Sequence, residues 1–204
     1  MFALVNKSDN SITKFLNGKI GITLDGIQHP KAIFSLWTEA ERNAINIYTV
    51  EINNSKRKNT EWYVNTNVTY SFNGSKVTGS YGDATARAHA DTLFTAQDES
   101  DGKGTEGDVK DEGLKTKLIR SIKSQAEGEL NKTDWYITRK AEKDTAIPSA
   151  VSTHRDAVRS KQAEMETAIT NASDTPALET LYTYTTQEDG STTRPLGELP
   201  TKDF

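Results

Sequence analysis

Two hydrophobic periods divide the chain. Over residues 1 to about 82, apolar and polar positions alternate with a period near two, the pattern of half-buried strands. Residues 2–5 and 12–16 flank a Lys7-Ser-Asp-Asn10 turn and predict an opening hairpin. Residues 19–24 predict a third strand, followed by Asp25-Gly26, a pair that supplies positive φ in a tight turn. Residues 33–37 then lead into Thr38-Glu-Ala-Glu41. The threonine oxygen can accept a first-turn N–H while Glu41 reaches back, so this capping box predicts a short helix to about Ala44. Strand character resumes over 47–52. Residues 62–81 predict a hairpin around Asn73-Gly74, with Tyr63, Asn65, Asn67 and Thr69 on one face and Trp62, Val64, Val68 and Tyr70 on the other. The small-residue stretch 84–91 predicts a short helix.

Residues 97–113 hold Asp, Glu, Gly and Lys and almost nothing to bury, so they predict a flexible acidic linker. From Leu114 the period lengthens to about 3.6. Leu114, Leu118, Ile122, Ala126 and Leu130 recur every four residues, and Trp135, Tyr136 and Ile137 follow, predicting one helix or two collinear ones to about Glu142 with Gly128 as the weak point. Pro148 suits a first helical turn. Val151, His154, Val158, Met165, Ile169 and Ala172 trace the stripe of a second long helix, which the short link makes antiparallel to the first. Asp174-Thr-Pro176 caps a third helix through Leu181, and Gly190, Pro195, Gly197 and Pro200 predict an extended tail from Thr183. The expectation is an α+β protein. A β-rich N-terminal domain of antiparallel hairpins (1–94) is followed by an acidic Gly-rich linker (95–113), an α-helical hairpin module (114–182) and an extended tail (183–204).

Composition narrows the function classes. Of 204 residues only 34% are hydrophobic, low for a compact globule, so a modular chain that completes its burial against other subunits is expected. The formal charge is −4 and no basic stripe stands out, which argues against nucleic acid as a partner. The absence of cysteine excludes disulfides and thiolate chemistry. No run approaches the ~20 apolar residues of a membrane span. The opening residues lack a basic region before an apolar core, so no signal peptide is expected and the chain reads as soluble and cytoplasmically made. Without a secretory route, the sequons at Asn67 and Asn131 carry little weight.

Motifs for chemistry fail one by one. Gly102-Lys-Gly104-Thr-Glu-Gly107 matches a dinucleotide-binding pattern but follows an acidic stretch rather than a buried strand, and acids repel a pyrophosphate. Asp98, Asp101 and Asp108 lack the spacing of a calcium loop. His29, His89 and His154 are far apart, and His154 falls on the apolar stripe, where a core or subunit-contact role is expected. No carboxylate pair sits in an apolar setting. No catalytic, cofactor-binding or metal-ligating residue is therefore assigned, and no cofactor is expected. Arg155 and Arg159 share a helix face, with Arg139 and Glu142 on the other helix. Two readings stand side by side: an interhelical polar network, or a charged docking face anchored by Trp135.

The segment Thr133-Asp-Trp135-Tyr136-x-x-Arg139-x-x-Glu142, then Ile147-Pro148-x-x-Val151, then Arg155-x-x-Val158-Arg159, resembles the C-terminal module of tailed-bacteriophage tail assembly chaperones. In that family a Leu-Leu-x-x-Thr/Ser-Asp-Trp motif precedes a run ending in Tyr-Arg-x-x-Leu-Arg. This chain carries Glu129-Leu130 in place of the paired leucines and His154 in place of the tyrosine. The N-terminal part, with Ile27-Gln-His-Pro30, Phe34-Ser-Leu-Trp37, Glu41-Arg42 and Ile45-Asn-Ile-Tyr48, is similar to the front half of related phage tail and fibre-associated proteins.

The resemblance implies a non-enzymatic phage morphogenesis protein that binds tail or tail-fibre subunits. Asp134, Trp135, Tyr136, Arg139, Glu142, Arg155 and Arg159 would be its partner-binding or hairpin-anchoring residues. It would reside in the virion tail or, during assembly, in the host cytoplasm, with self-association inside a symmetric tail. A permanent structural subunit of the tail, as an adaptor or fibre anchor, is the alternative. A glycan-binding receptor module built on Trp62, Tyr63, Tyr70 and Tyr81 is the third expectation.

Overall fold

The computed structural model describes residues 1–204 and is α+β, with seven helices and thirteen strands in two compact units, Met1–Thr85 and Ala86–Phe204. The boundary thus falls earlier than the expected end of the β-rich region at residue 94.

The first unit is built on β1 (Phe2–Asn6), β2 (Ser11–Leu16), β5 (Ile47–Asn53), β7 (Thr69–Phe72) and β8 (Val77–Ser80), ordered β2-β1-β5-β8-β7 in a curled half-barrel. Between β2 and β5 come the ribbon β3 (Ile22–Leu24) and β4 (Ile27–His29), then α1 (Ile33–Leu36) and α2 (Glu39–Ala44). The ribbon turns on Asp25 and Gly26, both at positive φ, as that residue pair requires. The capping box of α2 is present: Thr38 Oγ1 accepts the Glu41 N–H, and the Glu41 carboxylate accepts the Thr38 N–H at 2.7 Å. In the β7–β8 hairpin the Asn73 side chain accepts the N–H groups of Ser75 and Lys76, with Gly74 at φ +94°.

Curling brings the two edge strands together, and the ring of Phe15 lies 4.6 Å from that of Tyr70. Ala3, Val5, Tyr48, Val50, Phe72 and Val77 form the core, with Ile12 against it. Gly79 belongs there because a Cβ would come within 2.8 Å of the Tyr70, Ile52 and Val68 side chains.

Three expectations change in this unit. The sheet is not purely antiparallel, because β5 and β8 run parallel and the intervening chain crosses over to place β7 at the edge. Residues 62–68 do not extend the hairpin. Trp62 and Tyr63 are both buried, so strict alternation fails, and β6 (Tyr63–Val64) pairs with β9 (Thr85–Ala86), where the first unit ends. That pairing also replaces the short helix expected over 84–91.

The second unit opens with β10 (Thr92–Leu93), α3 (Ala96–Ser100) and β11 (Val109–Asp111). The segment read as a flexible linker, 95–113, is folded. Its acids find donors within the segment itself. Asp98 accepts the Thr95 N–H at 3.2 Å and pairs with Lys110 at 3.0 Å, and these contacts lower its pKa to about 2. β10 and β11 pair around this helix, and Phe94 exchanges backbone bonds with Asp108 and Gly107.

Four helices follow: α4 (Leu114–Asn131), α5 (Asp134–Lys143), α6 (Ser149–Asn171) and α7 (Thr175–Tyr182). Residues 88–91 cap α4. Ala88 and His89 carbonyls accept the N–H groups of Leu114 and Lys115, and Asp91 accepts the Gly113 N–H and the Thr116 hydroxyl. Those two bonds hold the Asp91 carboxyl below its usual pKa. Contacts between α4 and α6 run in opposite directions along the two helices. Lys115 reaches the Thr170 carbonyl, Lys123 pairs with Glu166, and Arg155 reaches Leu130, so the hairpin is antiparallel as expected. Ile122, Ala126, Val151, Val158, Met165 and Ile169 are its buried stripe. Asp174 caps α7 by accepting the Ala177 N–H.

Two further differences concern the helices and the tail. The first long helix breaks after Asn131, not at Gly128, which lies inside α4. The tail is not simply extended. It forms the hairpin β12 (Thr185–Thr186) and β13 (Thr192–Thr193), then buries Leu196, whose N–H bonds the Leu181 carbonyl.

Candidate functional site

The residues singled out by sequence gather around the α4–α5 break, but they divide into two groups with different physical roles. At the break, Lys132 is still helical and Thr133 leaves the helix at φ −119°, ψ 4°. Thr133 is fully buried, and its hydroxyl donates to the Leu130 carbonyl at 3.0 Å. Arg155, 7% exposed on α6, reaches across to this point. Its Nη1 lies 2.8 Å from the Leu130 carbonyl, 2.8 Å from Thr133 Oγ1 and 2.7 Å from Asp134 Oδ1. A cation beside the last carbonyls of α4 is favourably placed in the field of that helix, and Asp134 at the start of α5 complements the opposite terminus. Arg155 is therefore an interior pin, which realises the interhelical-network reading rather than that of an exposed docking arginine.

The second group lies on α5. None of its ten residues is buried. Trp135 is 51% exposed and Ile137 41% exposed. The ring of Trp135 lies against that of Tyr136, with centroids 3.7 Å apart, and the Arg139 guanidinium stands 4.8 Å from the first ring and 5.2 Å from the second. The three side chains support one another rather than filling the interhelical core. Glu142 is exposed one turn further on. Arg159, half exposed, pairs loosely with Asp156 at 3.5 Å on its own helix. It lines an open groove of about 710 Å³ with Leu130, Gln162 and Glu166. The two arginines of the Arg-x-x-x-Arg spacing thus separate, one inward and one outward.

Sequence reasoning missed Thr133 as a structural residue and Ile137 as an exposed one. The signal for Thr133 was its place before the Asp-Trp pair. The signal for Ile137 was absent, because an apolar residue after an apolar stripe reads as core. His154 is buried on α6 as expected, with its Nε2 unpartnered and its ring 5.2 Å from that of Phe204. Nowhere do three or more His, Asp or Glu side chains come together in a geometry that could hold a metal ion. No helix is long and apolar enough to cross a membrane.

The aromatics behind the glycan expectation are largely used up in packing. Trp62 and Tyr63 are buried, Tyr70 packs on Phe15, and Arg57 lies 5.9 Å from the Tyr81 ring. Tyr70, 36% exposed, and half-buried Tyr81 retain some open ring surface.

Comparison with known families, curated proteins and solved structures finds no match. The candidate site is α5, an exposed aromatic and cationic helix set on the buried Arg155.

Proposed function

We propose that this chain is a non-catalytic tailed-phage morphogenesis protein that binds tail or tail-fibre subunits in the manner of a tail assembly chaperone. The observation that carries this reading is α5. A helix with no buried residue that displays Trp135, Tyr136 and Arg139 together holds the residue types that anchor protein interfaces. The Asp134-Trp135 and Arg155-x-x-x-Arg159 spacing supplies the phage context by resemblance. Binding works by burying the aromatic pair against a partner, with Arg139 and Arg159 orienting the encounter through charge.

The test is a photo-crosslinking amino acid at position 135, introduced into the protein expressed in infected cells. A crosslink to a tail or fibre subunit, lost in the Arg139→Ala variant, supports the reading. Crosslinks only to unrelated host proteins reject it. Mass spectrometry of purified virions separates the transient chaperone from the permanent tail subunit, because a stoichiometric band at many copies is the signature of the latter.

A further inference from the structure

The α4–α5 break has one local device, the Thr133 hydroxyl that donates back to the Leu130 carbonyl. No glycine or proline lies between Glu129 and Lys143, and the apolar stripe of α4 runs up to Leu130 without interruption. Nor does a side chain cap α5 at Thr133. In a continuous helix the Leu130 carbonyl would accept the Asp134 N–H, four residues on. Here that carbonyl is taken by the Thr133 N–H at 3.0 Å, the Thr133 hydroxyl at 3.0 Å and Arg155 Nη1 at 2.8 Å. Arg155 thus shares the acceptor that the next helical donor would use, and the same nitrogen holds Thr133 Oγ1 and Asp134 Oδ1 on the far side of the break.

We infer that the junction is a two-state device: Arg155 engaged keeps α4 and α5 apart, and Arg155 disengaged lets residues 114–143 join as one helix. The alternative state leaves no backbone group stranded, because the Asp134 and Trp135 N–H groups then donate to the Leu130 and Asn131 carbonyls. The chain can follow. The five residues 144–148 reach about 17 Å when extended, longer than the roughly 15 Å axial length of ten-residue α5. No residue of α5 is fully buried, and only Tyr136 and Arg139 are half-buried, so the change disturbs little core packing. Asp134 is half exposed, so a cationic side chain of a bound partner can draw it from Arg155 and loosen the latch. The device redirects the Trp135–Tyr136–Arg139 face, yet it stands on the junction geometry alone and holds whatever that face binds.

The test is residue-resolved amide exchange by NMR on the whole chain, comparing wild type with Arg155→Met and with the double variant Thr133→Ala/Asp134→Ala. Methionine keeps an apolar stem without a donor, and the double variant removes two of the three acceptors while keeping the arginine. The expected result is slowing of exchange at the amides of positions 134 and 135 by tenfold or more in both, relative to the intrinsic rate of the residue present, with α6 amides still protected. Unchanged or faster exchange at those two amides, in a variant whose α6 remains protected, overturns the inference by showing α5 to be a loose or independently fixed arm. Should Arg155→Met cost α6 its protection, the double variant decides by the same criterion. If both variants lose α6 protection, the junction is a rigid keystone and the two-state device is rejected.

Discussion

The guanidinium of Arg155 sits 2.7 Å from the Asp134 carboxylate and is itself almost wholly buried, while Asp134 faces solvent. The pair couples α6 to the first residue of α5, and the same nitrogen satisfies Leu130 and Thr133. Replacing Arg155 with alanine leaves the buried Thr133 hydroxyl with one partner fewer and opens a void. The expected loss is about 1–3 kcal/mol. Arg159→Ala, by contrast, removes a half-exposed ion pair four residues on and should cost no more than about 0.5 kcal/mol. Urea unfolding of the two variants side by side measures the difference. Equal losses would contradict the assignment of one arginine to the interior and the other to the surface.

Much of the architecture was legible because local chemistry and global packing agree. Thr38 with Glu41, Asp25 with Gly26, and Asp174 before Pro176 each specify a cap or turn from neighbours in sequence, and each forms as read. The α6 stripe from Val151 to Ile169 likewise needs only its own period. What could not be read depends on partners distant in the chain. Arg155 reads equally as a network residue or a docking cation until Thr133, 22 residues earlier, is brought beside it. Trp135 reads as the anchor of a docking face at the end of an apolar stripe, and its 51% exposure becomes visible only with the break that sets α5 apart. The acidic stretch after Gln97 looks unstructured because burial is scarce there, yet Asp98 and Lys110 hold it by charge and hydrogen bonds across the α3 turn.

Trp135→Ala is the clearest test of that outward turn. A core tryptophan would cost roughly 3–5 kcal/mol on truncation. The exposed ring here forfeits only its stacking on Tyr136 and Arg139, so the expected loss is about 1 kcal/mol. Thermal or urea unfolding measures it. A loss in the core range would mean that the ring is covered in solution, by α5 repacking or by a second copy, and a concentration-dependent midpoint would separate those two outcomes.

Gly113 offers a test of the α4 cap. Its φ is −74°, so any residue could adopt the backbone, but a Cβ would lie 2.3 Å from the carbonyl carbon of Ala90. That neighbour is main chain and belongs to the segment whose Ala88 and His89 carbonyls cap the helix. Alanine must push the cap away, and overpacking of this kind costs about 1–3 kcal/mol. Gly128→Ala is the control. Nothing lies near its Cβ, and within α4 it should stabilise by about 0.5–1 kcal/mol. Opposite signs in chemical denaturation are the expected outcome.

Asp98 links the folded acidic segment to pH. Its carboxylate accepts the Thr95 N–H, pairs with Lys110 and accepts the Thr95 hydroxyl, and these hold its pKa near 2 against 3.8 for a free aspartate. The depressed value means that the unfolded chain binds a proton more readily than the folded one. The stabilisation is complete above about pH 4 and is lost as pH falls from there towards 2. Asp98→Asn removes this proton linkage while keeping the size of the side chain. The variant should be less stable than wild type at pH 7, and the gap between them should shrink on acidification from pH 4 to 2. Urea midpoints across that range measure the gap, and a difference independent of pH would show that the carboxylate of Asp98 does not carry the α3 fold.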